Sequence, residues 1–300
     1  MSILLEYVER ILKPNNETLI IIPPKINKIS NVIKSNTNLS LKMVIPGGSY
    51  AKGTMLKHKP DIDLVLVFNK EPGISRNWKA LMNKVYDFLL LAFPEAEIVL
   101  GDNIAIHLKF KNQNINFDIV PSYYVNSPLQ MASAKNSKIY QGITSIWHIK
   151  YWNQNKNIPL IKETVMLLKD WKNEHGLKQL KSFHIELIAA HAFHYRLENK
   201  YTIDTFLIAC FQDIQGMIDG SPIFPVNWEY FDVNDIEDHY DFALLIDPAN
   251  PRENLLEILE TDVDMKNQIK SEASKAISNI ENTRYDKVFD PKNKTKFFKK

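Results

Sequence analysis

Hydrophobic positions divide the chain into two differently patterned halves. Residues 41–45 run largely apolar into the turn Pro46-Gly47-Gly48-Ser49, and Leu64-Val65-Leu66-Val67-Phe68 is an unbroken apolar run directly behind Asp61-Ile62-Asp63. Both read as strands, the second one buried. Phe117-Asp118-Ile119-Val120-Pro121 is a further β-type run with a single carboxylate inside it. From Pro159 the period changes. Ile161, Val165, Leu168 and Trp171 share one helical face, with Lys162 and Lys169 placed off it. Ser182 then stands as the N-cap of an almost wholly apolar helix that reaches Ala192. Around residues 245–254 the prolines predict a turn that stops one strand and starts a helix at Pro251, with Asp or Asn as caps.

The carboxylates carry the chemistry. Side chains at i and i+2 of a strand point to one face, ~6.5–7 Å apart along the backbone. Asp61 and Asp63 can therefore grip the same cations. Asp118, inside an apolar strand, would be costly without a partner or an ion. A divalent metal shared by the three resolves that cost, and hard oxygen ligands in this number suit Mg²⁺ or Mn²⁺. Gly47 and Gly48 permit close backbone approach, so Gly48, Ser49 and the amides after them can meet a phosphate at the start of a short helix. The turn is no Walker A loop, because Lys52 precedes Gly53 instead of following it.

Taken in order, Gly47-Gly48-Ser49-Tyr50-Ala51-Lys52-Gly53-Thr54, Asp61-Ile62-Asp63-Leu64 and Asn116-Phe117-Asp118-Ile119-Val120-Pro121 resemble the signature of the polymerase-β-type nucleotidyltransferases. The branch resembled contains the 2′-5′-oligoadenylate synthases, cyclic GMP-AMP synthase and the bacterial CD-NTases. The resemblance implies an α+β fold: a mixed sheet with helices as the core lobe and a helical C-terminal lobe, bilobed with the active site in the cleft. Lobes of 1–155, including N-terminal helices, and 156–300 are expected. It further implies two Mg²⁺ or Mn²⁺ ions on Asp61, Asp63 and Asp118, and attack of a ribose hydroxyl on the α-phosphate of a nucleoside triphosphate. Leu167-Leu168-Lys169-Asp170-Trp171, followed by Lys181-Ser182-Phe183-His184, is similar to the stretch that binds the donor nucleotide. It maps phosphate contacts onto Lys169 and Ser182, and base stacking onto Phe183. Phenylalanine stands where the family often has tyrosine, so the stacking face is kept and the hydroxyl lost. Asp247-Pro248-Ala249-Asn250-Pro251-Arg252-Glu253-Asn254 matches a further family segment, which we read as structural.

Composition narrows the setting. Formal net charge is only +2, so no overall basic nucleic-acid footprint is present. Lys287, Lys292, Lys294, Lys296, Lys299 and Lys300 make a basic tail, expected to be frayed and solvated, with an activating RNA as the sharper alternative. One cysteine, Cys210, excludes an intrachain disulfide and a Cys-rich zinc site such as the animal DNA sensor carries; buried packing is its expected role. His184, His191 and His194 share a helix and are expected in core or cleft positions. No stretch of about 18 apolar residues occurs, and the first residues lack the order of a signal peptide, so a cytoplasmic protein without membrane contact is expected.

The expected function is therefore synthesis of a cyclic or linear oligonucleotide second messenger from ATP or other NTPs, in antiphage defence, with a downstream effector binding the product. A CCA-adding or other RNA-tailing transferase is the alternative enzyme, and a silent nucleotide or RNA sensor the alternative of another class.

Overall fold

The three apolar β-type runs pair into one sheet in the computed structural model, which describes residues 2–36, 39–58, 60–69, 78–101, 105–111, 115–123, 141–228, 245–260, 262–292 and 294–298. Its strands are β1 (Leu41–Pro46), β2 (Asp61–Phe68), β3 (Ala96–Leu100), β4 (Ile106–Phe110) and β5 (Asn116–Tyr123), in spatial order β1-β2-β5-β4-β3. β2 and β5 are parallel and the other neighbours antiparallel, so the sheet is mixed. β2 lies between β1 and β5, and Leu64, Val65, Leu66, Val67 and Phe68 are all buried. Burial on both faces is why that run reads apolar at every position. β4 keeps the alternation of a half-open face: Ile106, Leu108 and Phe110 are buried, His107 and Lys109 exposed.

Helices α1 (Ile3–Tyr7), α2 (Asn16–Ser35), α3 (Gly48–Lys52), α4 (Trp78–Ala92) and α5 (Gln141–Asn155) complete the first half of the chain. Ile22, Ile29 and Ile33 of α2 and Leu81, Met82, Val85 and Leu89 of α4 share one core with Ile62, Leu64, Leu66 and Phe117 of the sheet. Asn15 caps α2 by accepting from Thr18 N at 2.9 Å. The helix runs through Pro23 and Pro24, which lack the N–H groups that would reach the carbonyls of Leu19 and Ile20. Leu19 and Ile20 are exposed, so water can take those bonds.

The chain divides into two compact units, Pro14–Lys150 and Met1–Lys13 together with Tyr151–Lys300. The N-terminal segment, expected with the sheet, belongs with the second half of the chain. Tyr7 accounts for this: its hydroxyl donates to Asp170 Oδ2 at 3.0 Å and its ring packs against Phe298, centroids 4.7 Å apart.

This second unit is built from α6 (Ile161–Glu174), α7 (Ser182–Arg196), α8 (Ile203–Ile218), the pair β6 (Ile246–Asp247) and β7 (Asn250–Asn254), then α9 (Glu257–Glu260), α10 (Val263–Glu281) and α11 (Tyr285–Phe289). Three local expectations are corrected. Ser182 is the first helical residue of α7, not its cap; Lys181 is the cap, and its N–H donates to His184 Nδ1 at 3.2 Å. Pro251 opens no helix but lies in β7, because the segment folds into a hairpin. Buried Asn254 holds the hairpin by accepting from Leu245 N (3.2 Å) and Leu256 N (3.1 Å), while Asp247 accepts from Ala249 N at 2.7 Å. The described residues of the basic tail, up to 298, are tied down and do not fray. Asp290 accepts from Lys294 N (2.6 Å) and Thr295 Oγ1 (2.7 Å), Lys294 reaches Glu174 at 2.7 Å, and Phe297 and Phe298 pack on Tyr7. Lys299 and Lys300 lie outside the described residues.

Cys210 is fully buried, and burial together with Asp213 pushes its thiol well up. His191 pairs with buried Asp213 at 2.7 Å, and Asp213 also takes Arg196, so the helix histidines serve local pairing. Among the described residues no helix is long and apolar enough to cross a membrane.

Candidate active site

Parallel pairing of β2 with β5 sets Asp63 directly opposite Asp118 and Asp61 opposite Asn116. Neighbouring strands lie ~4.8 Å apart, so the two opposed carboxylates are lateral neighbours. The even spacing of Asp61 and Asp63 places the third on the same face. All three are half-buried, between the buried Ile62, Leu64, Phe117 and Ile119. The apolar residues fix the strands, and the alternation turns the acids outward together.

The glycine turn is tied to this set. Gly47 N donates to Asp63 O at 2.7 Å, and a Cβ on Gly47 would lie 3.2 Å from Asp63 Cβ. Gly48 has φ +54° and faces the Asp63 carboxylate, where any Cβ would collide. Gly48 is thus required by the observed place of the Asp63 carboxylate, and Gly47 allows the strands' close approach. The chain then turns into α3, where Ser49 is half-buried in the first turn, and α3 ends on Gly53 in the left-handed region.

The acids have partners of their own. Asn116 Nδ2 donates to Asp61 Oδ1 at 3.0 Å, and His107 Nδ1 lies 2.6 Å from Asp118 Oδ1. Among the described residues no three His, Cys, Asp or Glu side chains are gathered as a ready-made metal cage. The donor set is nevertheless right in type and register for a hard cation: three oxygen-bearing side chains on one face, half-exposed, leaving most of the coordination shell to water and phosphate oxygens.

The remaining sequence candidates belong to the helical unit. Lys169 on α6 is only 4 % exposed, contrary to its expected place off the buried face. α6 is covered nearly all round from Thr164 to Trp171, and Glu186 of α7, 3 % exposed, offers the buried ammonium a carboxylate with Oε1 at 3.9 Å. Ser182 is exposed and Phe183 half-buried in the first turn of α7.

His107 as a partner of Asp118, and Asn116 as a partner of Asp61, are not legible in the sequence alone. A signal for His107 existed in the alternation of β4, which places an imidazole on the exposed face, but only the strand pairing brings it beside Asp118.

The family described as Nucleotidyltransferase domain matches residues 26–141. Cyclic AMP-AMP-AMP synthase of Escherichia coli (strain MS 115-1) is 30% identical over 176 residues, 55% of this chain and 54% of that protein. This chain thus spans about half the length of the curated relatives it matches. Among solved structures, the E. coli MS115-1 CdnC:HORMA-deltaN complex superposes with TM-score 0.75 at 21% identity, covering 96% of each chain. The Bradyrhizobium diazoefficiens CD-NTase CdnG, in complex with GTP, gives TM-score 0.67 at 14% identity over 99% of this chain and 97% of that one. Residues 26–141 are therefore similar to a nucleotidyltransferase domain. The fold is that of the CD-NTases, and the likeness to the CD-NTase and oligoadenylate synthase branch is borne out.

Proposed function

We propose that this protein is a nucleotidyltransferase that joins nucleoside triphosphates into a cyclic or linear oligonucleotide second messenger in antiphage defence. The observation that carries the reading is the opposition of Asp63 and Asp118 across two parallel strands, with Asp61 on the same face and the Gly47-Gly48 turn bonded to Asp63. Similarity to a cyclic AMP-AMP-AMP synthase supports the product class. ATP or other NTPs are the substrates, the cytoplasm is the setting, and a separate effector reads the product.

Asp61, Asp63 and Asp118 would hold two Mg²⁺ or Mn²⁺ ions, which supply stabilisation of the charge on the attacking and leaving oxygens. Gly48 keeps the backbone out of the way of the Asp63 carboxylate, and Ser49 with the first amides of α3 binds phosphate oxygens. Lys169 and Ser182 contact the triphosphate. Buried Glu186, with Oε1 3.9 Å from Lys169 Nζ, places a carboxylate beside that ammonium. Phe183 stacks on a base through its π-face, which discriminates weakly between bases.

Incubation with labelled ATP, GTP, CTP and UTP plus Mg²⁺ or Mn²⁺, with and without tRNA, tests the reading by mass spectrometry of the products. Oligonucleotides made without added RNA are expected. Product seen only as extension of tRNA would replace this reading by an RNA-tailing one, and nucleotide binding without any product by a silent sensor.

A further inference from the structure

We propose that His107 is a positioning residue for Asp118, holding that carboxylate in the orientation in which it takes a divalent ion. The inference rests on the metal-binding reading of the three aspartates. His107 stands opposite Asp118 in the antiparallel pairing of β4 with β5, and its Nδ1 lies 2.6 Å from Asp118 Oδ1. An ionised carboxylate only accepts, so Nδ1 carries the proton and donates. The bond engages one carboxylate oxygen and leaves the other to face a cation. A partner bonded behind a ligating side chain fixes its rotamer and is worth a sizeable part of the affinity.

Among the described residues no apolar burial accounts for an imidazole at this place. The His107 side chain is 52 % exposed, on the open side of β4 that also carries Lys109. What the surroundings do provide is a seat for the ring. Gly101, just beyond β3, offers bare backbone: a Cβ there would lie 2.6 Å from His107 Nε2 and 2.8 Å from Ala105 O. Gly101 N donates to Ala105 O at 2.9 Å, so that backbone is held in place. One edge of the ring thus rests over a glycine just beyond the sheet's outer strand while the other edge grips Asp118. Asp61 receives the same treatment from Asn116, whose Nδ2 donates to Oδ1 at 3.0 Å, whereas the Gly47-Gly48 turn binds the backbone of Asp63 and leaves room for its carboxylate.

The test is a Mn²⁺ titration of the purified full chain, followed by the electron paramagnetic resonance signal of free Mn²⁺, with melting curves as a folding control. Wild type is compared with His107→Ala, His107→Asn and Asp118→Ala. Asparagine branches at Cγ as histidine does, so its Nδ2 can donate to the same oxygen. His107→Ala should weaken Mn²⁺ binding roughly 10- to 100-fold, His107→Asn should recover most of that loss, and Asp118→Ala should bind worst. If His107→Ala fails to fold, His107→Asn against His107→Gln, whose donor sits one bond further out, reads the same contrast. Asp118→Ala losing Mn²⁺ while His107→Ala binds it as tightly as wild type, or more tightly, overturns the positioning role and leaves the metal reading standing. Undiminished binding by Asp118→Ala overturns the metal reading and the proposal with it.

Discussion

Gly48 sits at φ +54° with its Cα against the carboxylate of Asp63, so that a side chain at 48 and the carboxylate in its observed place exclude one another. Gly48→Ala must therefore both strain the turn, at ~1–3 kcal/mol for a non-glycine held in the left-handed region, and displace Asp63. The expected outcome is a lower melting temperature and a loss of about 100-fold or more in pyrophosphate release, since displacement of a catalytic group by ~1 Å costs that much. A variant with wild-type turnover would show that the turn does not set the Asp63 position.

Phe183, half-buried in the first turn of α7, is proposed to stack on a base. Phe183→Ala should raise the NTP KM roughly five- to 150-fold, matching ~1–3 kcal/mol for one lost stacking contact. Phe183→Tyr should leave KM nearly unchanged, because the π-face is retained. Steady-state kinetics on a single NTP reads both; equal effects of the two substitutions would assign Phe183 to packing alone.

Asp170 predicts a pH dependence of stability. Burial pushes its carboxyl up to about 7; the Tyr7 hydroxyl and Lys294 pull it down, while Glu174 and Asp290 push it further up. Burial also raises the Tyr7 phenol, which stays protonated and donates. A carboxyl whose folded pKa lies above its unfolded value of about 4 binds more protons in the folded state between those two pH values. Its contribution is thus greatest near pH 4, is lost as pH rises to 7 and is constant above, with an upper bound of about 4 kcal/mol. Asp170→Asn removes this dependence while its amide oxygen still accepts from Tyr7. Relative to wild type, the variant should gain melting temperature from pH 5 to pH 8. A constant difference across that range would contradict the assignment.

Cys210, fully buried with its thiol pushed up by burial and Asp213, should resist thiol reagents in the folded protein. Labelling by a disulfide reagent is expected only on addition of denaturant. Rapid labelling of the native chain would show that α8 opens.

The carboxylates were legible in the sequence because their meaning is local: an i, i+2 pair and an acid inside an apolar strand need no tertiary information to be read. The apolar runs likewise announced β2 and β5. What escaped depends on distant contacts. Tyr7 lies 163 positions from Asp170, and contacts of that range, not local pattern, tie the N-terminal segment to the helical unit. Lys169 reads as lying off the apolar face because one helix's periodicity cannot report that Glu186 on another will meet it. His107 became meaningful only through strand register. The hairpin at Asp247 and Asn254 was missed since prolines mark a break in a helix and a strand edge equally well.

Pyrophosphate release by the doubly substituted Asp61→Asn, Asp63→Asn protein, with Mg²⁺ or Mn²⁺ and an NTP mixture, tests the central claim most directly. The opposed acids of β2 and β5 predict that release falls to background while the melting temperature is unchanged or slightly raised, because the substitutions relieve repulsion between neighbouring carboxylates. Turnover equal to wild type in the folded variant would contradict the assignment of these residues to metal-dependent nucleotidyl transfer.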